Sequence, residues 1–253
     1  MNRGLQAILV RFYCWISSAK MVVSGQAGYK DRQSLLVRPD LYIALTERNA
    51  TWARKYAFGV PVEVIPNGVD LRRFQPKGRK IKLNVTPPII LCVAGPERYK
   101  RVEETIQAVT QLKQGSLLLA GGSQQQEFFG QKLLGGRFLR QQFKHKQMPA
   151  VYRLADVFTL ASKDSEAFGT AYLEALASGL PVVAPDDELR REILGKWGIY
   201  VKNPTDLNEY ALKLQLGLKQ SKHRPEEWLR EYNWDVIAER YLALFKNLNT
   251  TQC

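Results

Sequence analysis

From Ile89 onward the chain alternates short runs of Val, Ile and Leu with longer segments whose apolar residues recur every three or four positions. The first pattern suits strands buried on both faces, the second helices with one apolar face. It predicts strands over Ile89–Ala94, Ser116–Ala120, Arg137–Gln141, Val157–Ala161, Pro181–Ala184 and Gly198–Val201. It predicts helices over Val102–Leu112, Met148–Leu154, Thr170–Ser178, Glu188–Leu194, Thr205–Leu218 and Trp234–Leu248. Strand and helix in turn, joined by short connections, make an α/β fold: a Rossmann-like parallel sheet with helices on both faces.

Upstream, the same reading gives an amphipathic helix over Leu5–Val23, a strand over Asp40–Leu45, a helix over Glu47–Phe58 with Trp52, Ala53 and Tyr56 on one face, and a strand over Val62–Ile65. Pro66-Asn67-Gly68 forms a turn, Val69–Pro76 is a proline-bounded connector, and a polar, basic stretch runs on to Pro87-Pro88. The predicted organisation is a partial N-terminal lobe with its connector (1–70), a Rossmann-like ligand-binding domain (71–233) and a closing helical segment (234–253).

The densest chemistry sits in Ala161–Pro185, where Glu166 and Glu174 flank a Phe168-Gly169-Thr170 turn leading into an Ala/Leu-rich helix that stops at Ser178-Gly179. A helix N-terminus carries unpaired amides and the positive end of the macrodipole, so this one is a phosphate seat. In open parallel sheets the ligand lies at the carboxyl ends of the strands. Three loops of unusual composition fall there: Gly95 to Arg101, Gly121-Gly122-Ser123, and Lys163 to Gly169. Lys100, with Arg98 or Arg101, is suited to neutralise phosphate oxygens together with the Thr170 and Ala171 amides. Gly121 allows close backbone approach. Glu166 and Glu174 are suited to accept hydrogen bonds from hydroxyls. Phe168 reads equally as packing or as ligand contact. The set suits a diphosphate flanked by two hydroxyl-rich sugars.

Composition narrows the partner. Hydrophobic residues make up 45% and aromatics 10% of the 253 residues, enough for a sizeable core. Lys and Arg number 37 against 24 Asp and Glu, a net charge of +13 that favours an anionic partner. The basic residues are spread along the chain without any nucleic-acid-binding motif, which counts against nucleic acid. Peripheral contact between this basic surface and the inner face of a membrane stays open. Cys14, Cys92 and Cys253 lack metal-ligand spacing, and their odd number suits a reduced, cytoplasmic compartment.

At these residues the chain resembles the retaining, nucleotide-sugar-dependent glycosyltransferases of the GT-B fold, family four. Glu166-Ala-Phe-Gly-Thr-Ala-Tyr-Leu-Glu174 with the following Ala-Ser-Gly-Leu-Pro-Val-Val is similar to that family's Glu-x7-Glu signature. Val64-Ile-Pro-Asn-Gly-Val-Asp70 is similar to its interdomain connector, and Lys100 matches its phosphate-binding lysine. Tyr152 to Phe158 and Leu189 to Gly195 resemble the segments before and after the signature. The resemblance implies that 71–233 is the nucleotide-sugar donor domain. It implies that Glu174 binds the nucleotide ribose, that Glu166 lies near the donor sugar beside the Phe168-Gly169-Thr170 backbone, and that Lys100 helps the diphosphate leave. It also implies a retained anomeric configuration. With no Asp-x-Asp motif in the chain, no divalent cation and no cofactor are expected.

Pro96 stands where the family places an arginine, and Arg98 is the candidate replacement. The short stretch before the connector predicts that most of the acceptor half is absent. Three functions therefore stay open: a hexosyl-type glycosyltransferase acting on a glycan, lipid-linked or small-molecule acceptor; a non-catalytic nucleotide-sugar-binding module or donor-half subunit needing a partner chain; and a basic docking protein.

Overall fold

Runs of aliphatic residues long enough to be covered on both faces place this chain's strands in two all-parallel sheets, one in each of two compact units. The structure, a computed structural model, describes residues 3–26, 32–163 and 166–250. Asp164 and Ser165 of the predicted Lys163–Gly169 loop, and Cys253, lie outside the described residues.

The first unit comprises residues 1–68, 165–168 and 232–253. Its elements are α1 (Arg3–Ser17), β1 (Val22–Ser24), α2 (Arg32–Leu36), β2 (Leu41–Ala44), α3 (Glu47–Tyr56) and β3 (Val62–Val64), forming a three-stranded sheet in the order β1-β2-β3. The single helix expected over Leu5–Val23 is therefore two elements. It ends at Ser17, Ser18 takes a positive φ of 56°, and Val22 and Val23 join the sheet beside Leu41 and Tyr42. Two β-branched residues fit a pleated, half-buried surface, and pairing with β2 decides their conformation. Thr46 caps α3, its hydroxyl accepting from the Asn49 amide at 3.1 Å. Ala50 and Ala53 are buried, with Trp52 and Tyr56 packed at the margin of their cluster.

The second unit comprises residues 69–164 and 169–231. Its elements are β4 (Ile89–Ala94), α4 (Val102–Thr110), β5 (Ser116–Gly121), α5 (Gln124–Leu134), β6 (Phe138–Gln141), α6 (Met148–Leu154), β7 (Val157–Thr159), α7 (Thr170–Ala177), β8 (Val182–Pro185), α8 (Glu188–Leu194), β9 (Gly198–Val201), α9 (Leu207–Lys219) and α10 (Glu226–Arg230). The six strands lie in the order β6-β5-β4-β7-β8-β9. The parallel Rossmann-like sheet is as expected. The helix α5 is not among the expected elements, because its Gln-rich start and Gly130 blur the periodicity. Gly130 is needed there: a Cβ at that position would meet the ring of Phe138 on β6. The closing helix α11 (Trp234–Thr250) belongs to the first unit, where Ile237 is buried among Leu41, Ile43 and Ile65.

Candidate functional site

Strand order decides where the second unit can hold a ligand. The chain runs outward from β4 through β5 to β6, then returns to pair β7 against the free side of β4. Such a reversal opens a crevice at the carboxyl ends of the two strands, because their following loops leave in opposite directions. The two loops at this crevice are the one with Arg98 and Lys100, after β4, and the one leading to α7, after β7. They are tied together directly, the Lys163 amide donating to the Tyr99 carbonyl at 2.7 Å.

The β4 loop is short and sharply bent. Arg98–Lys100 form a single 3-10 turn, and Arg101 takes a left-handed conformation (φ 52°) before α4 begins. Lys100 Nζ lies 5.0 Å from the centroid of the Tyr99 ring. The charge of Lys100 also reaches the buried Cys92 on β4: burial pushes that thiol up to about 12, and Lys100 partly offsets it. Arg98 is exposed. Glu97 folds back so that its carboxylate occupies the space beside Gly95. The loop therefore carries an anion as well as its cations. Gly121 closes β5 opposite Ala94 with φ 109°, and a Cβ there would run into the Ala94 carbonyl. The close approach requiring glycine at this position is to the neighbouring strand.

The β7 loop ends at Gly169, whose φ of 90° and ψ of 55° swing the chain into α7. No side chain caps this helix, so its leading amides, those of Thr170 and Ala171 among them, have no intrahelical acceptor. At the other end, the Gly179 amide donates to Leu176 and the Leu180 amide to Ala175, at 2.9 and 3.0 Å, with Gly179 at φ 79°. That glycine-terminated cap stops the helix where the sequence predicts.

Glu174 lies one turn into α7 with only 14% of its side chain exposed. Its Oε2 accepts from the Tyr152 hydroxyl at 2.8 Å, and its Oε1 lies 3.9 Å from His145 Nε2. Burial raises the Glu174 pKa above the ordinary 4.5, against the opposing pull of the Tyr152 hydrogen bond and of the charges on His145 and Arg73. Arg73 Nη2 donates to the His145 carbonyl at 3.3 Å. Burial, and then the nearby Glu174 carboxylate, raise the Tyr152 pKa well above its usual range, so the phenol is a donor. The site is therefore a carboxylate oriented by a buried tyrosine, with one oxygen left toward a basic rim.

Arg98, Lys100, Gly121, Gly169, Thr170, Ala171 and Glu174 thus fall in the second unit, on the loops and helix that follow β4, β5 and β7. Glu166 and Phe168 fall in the segment 165–168, which clusters with the first unit. There Phe168 is buried, its ring centroid 6.4 Å from that of Tyr232, and Asn49 Nδ2 donates to the Ala167 carbonyl at 3.0 Å.

Residues 74–231 match the sequence profile of the family described as "Glycosyl transferases group 1". That match covers more than half of the chain and includes every sequence-predicted site residue, but not Arg73, Asn49 or Tyr232. The chain belongs to this family. A probable sucrose-phosphate synthase of Thermosipho melanesiensis is 29% identical over 204 residues, covering 74% of this chain and 47% of that protein. A GDP-mannose-dependent monoacylated alpha-(1-6)-phosphatidylinositol monomannoside mannosyltransferase of Corynebacterium glutamicum is 26% identical over 228 residues, covering 76% of this chain and 58% of that protein. This group 1 chain thus spans about half the length of the curated relatives it matches. Among solved structures, sucrose-phosphate synthase from Thermosynechococcus elongatus superposes with a TM-score of 0.80 at 23% identity, over 97% of this chain and 73% of that one. HepE of Anabaena, in complex with UDP and glucose, does so with a TM-score of 0.77 at 15% identity, over 96% and 76%. The fold is that of GT-B glycosyltransferases, as expected from the motifs.

The supporting roles of Tyr152, Arg73 and Glu97 emerge only from the structure of this group 1 chain. Tyr152 is separated from Glu174 by 22 positions, so no helical or strand period links them. Only the packing of α6 beside α7 brings them together. His145 is likewise 29 positions from Glu174, and only the fold brings the two within 3.9 Å.

Proposed function

We propose that this chain forms the donor side of a retaining, metal-independent glycosyltransferase that uses a nucleoside-diphosphate hexose. The observation that carries the proposal is the strand reversal between β4 and β7, which sets the Lys100 turn beside the uncapped start of α7. A diphosphate seated there meets Lys100 and Arg98 on one side and the Thr170 and Ala171 amides on the other. Glu174, held by Tyr152, accepts from the ribose hydroxyls through its remaining oxygen. For Glu166 the signature implies a role near the donor sugar. Cleavage of the sugar–phosphate bond leaves negative charge on the diphosphate, and fixed cations and amides stabilise that charge without rearranging. This arrangement supplies what a bound divalent ion supplies in other transferases. The names of the solved neighbours, which include UDP complexes, support a nucleoside diphosphate as the ligand class.

Calorimetric titration with a panel of nucleotide sugars, with EDTA and again with Mg²⁺, tests the proposal. Micromolar binding of one donor, unchanged by EDTA, is expected. Failure of every nucleoside diphosphate to bind would overturn it. A second reading, a donor-half subunit without turnover of its own, draws on the second unit alone holding Lys100, the leading amides of α7 and Glu174. Donor binding without hydrolysis or transfer to any acceptor would select it.

A further inference from the structure

The largest fully buried side chain among the described residues is a charged one, Arg190 on α8. Its Nη1 pairs with Asp187 Oδ2 at 2.7 Å, one turn back on the same helix. Its Nη2 donates to the Ser162 carbonyl at 2.8 Å, to Ser162 Oγ at 2.6 Å and to the Lys163 carbonyl at 3.0 Å. Its Nε points at the Tyr172 hydroxyl, 3.4 Å away, and that hydroxyl donates to the Leu160 carbonyl at 2.7 Å. One guanidinium therefore gathers the start of the β7–α7 loop. The loop passes the connection on, since the Lys163 amide donates to the Tyr99 carbonyl in the turn that carries Arg98 and Lys100.

A buried cation is retained only where several acceptors satisfy it, and removing its partners costs more than the pair contributes. The planar fork of arginine serves several acceptors in fixed directions at once, which a lysine ammonium cannot reproduce. The carbonyls Arg190 holds lie at the root of the β7–α7 loop, whose Lys163 amide reaches the β4–α4 loop, while its own atoms are sealed from solvent.

We propose that Arg190 is a positioning residue: through Ser162 and Lys163 it fixes the β7–α7 loop against the β4–α4 loop, setting the distance between the Lys100 cation and the leading amides of α7. The proposal rests on the nucleotide-sugar reading above for its ligand, but not for its geometry. It predicts that Arg190 acts on diphosphate recognition selectively, without touching substrate.

Two variants test it in the full chain. Arg190→Lys keeps a cation beside Asp187 but loses the fork. Ser162→Ala keeps the guanidinium and its pair with Asp187, and removes one acceptor. Two measurements are made on each: the affinity ratio of nucleoside diphosphate to the matching monophosphate, and hydrogen exchange at the Lys163 amide relative to the β4 core amide of Leu91. Arg190→Lys should lower diphosphate affinity about tenfold and monophosphate affinity less than about twofold, with Lys163 exchanging about tenfold faster. Ser162→Ala should shift both in the same direction by about threefold. If Arg190→Lys does not fold, Ser162→Ala decides alone. Equal loss of both nucleotides, or an unchanged ratio with unchanged Lys163 exchange, overturns the proposal. If the wild-type chain binds no nucleoside diphosphate, the donor reading fails, and Lys163 exchange still decides whether Arg190 couples the loops.

Discussion

Glu174 holds two demands in one side chain. Its carboxylate is mostly buried, so burial raises its pKa, and the Tyr152 hydrogen bond and the nearby cations only partly compensate. The folded chain therefore binds the Glu174 proton more tightly than the unfolded chain does. Stability falls as pH rises from the ordinary value near 4.5 through the raised folded value, and the cost is fully present above that window. Glu174→Gln cannot ionise and can still accept from Tyr152. It should melt higher than the wild type at pH 7, by about 2–4 °C for each kcal/mol regained, with the gain gone near pH 4. The same variant should bind nucleoside diphosphate about tenfold more weakly, because an amide replaces a charged acceptor. Melting curves at the two pH values and a titration check both; a variant no more stable at pH 7 would remove the burial argument. At this scale the sequence marked Glu174, Lys100 and the glycines through their place in a motif. It assigned Tyr152 and Glu97 no role of their own, because those roles exist only once α6 packs beside α7 and the β4 loop folds back on Gly95.

Among the elements, α7 shows how much a local pattern settles. Its start at a left-handed glycine and its glycine-terminated end both follow from residues inside the helix and at its ends. The strands of the second unit are equally local, since Ile89–Ala94 and Val182–Pro185 are too apolar to sit anywhere but inside a covered sheet. Other elements depend on a neighbour. β1 is a strand because β2 offers it a partner, and α5 tolerates Gly130 because Phe138 fills the gap. The start of α5 was nonetheless written in Ser123 and Gln126, whose reciprocal side-chain bonds of 3.2 and 2.9 Å form a capping box. Gly121→Ala tests the β4–β5 edge. The positive φ alone costs about 1–2 kcal/mol, and the overlap with the Ala94 carbonyl adds to it. A melting temperature lower by about 5 °C or more is expected in a thermal scan. An unchanged one would mean that the strand ends separate freely.

At the scale of the whole molecule, the described residues of α1 form a surface that neither the candidate site nor the core uses. On α1, Trp15, Tyr13 and Ile16 are 78%, 68% and 65% exposed, with Leu5, Ile8, Leu9 and Phe12 exposed beside them. Arg11 on the same helix is committed to Asp40 at 2.8 Å. An apolar surface of this extent favours association or dye binding in water. The isolated chain should bind an apolar fluorescent dye and associate as its concentration rises, and the double substitution Phe12→Glu with Trp15→Glu should reduce both, as read by fluorescence and sedimentation. Equal dye binding by the double variant would place the apolar surface elsewhere. No helix among the described residues is long and apolar enough to cross a membrane.

By itself the sequence determined the α/β class, the parallel sheet of the second unit, the limits of α7 and the placing of Glu166 and Glu174 on either side of its start. Those features follow from runs, caps and spacings that lie within about a dozen residues of one another, the range over which helix and strand periods operate. The tertiary structure alone decided that β7 returns to β4, that Tyr152 orients Glu174, that Phe168 packs against Tyr232, and that Arg190 is buried beneath the site loops. Each of these joins residues far apart along the chain. No local period encodes such a contact; it forms when sheets and helices bury their apolar faces and polar groups caught beneath them take the partners within reach.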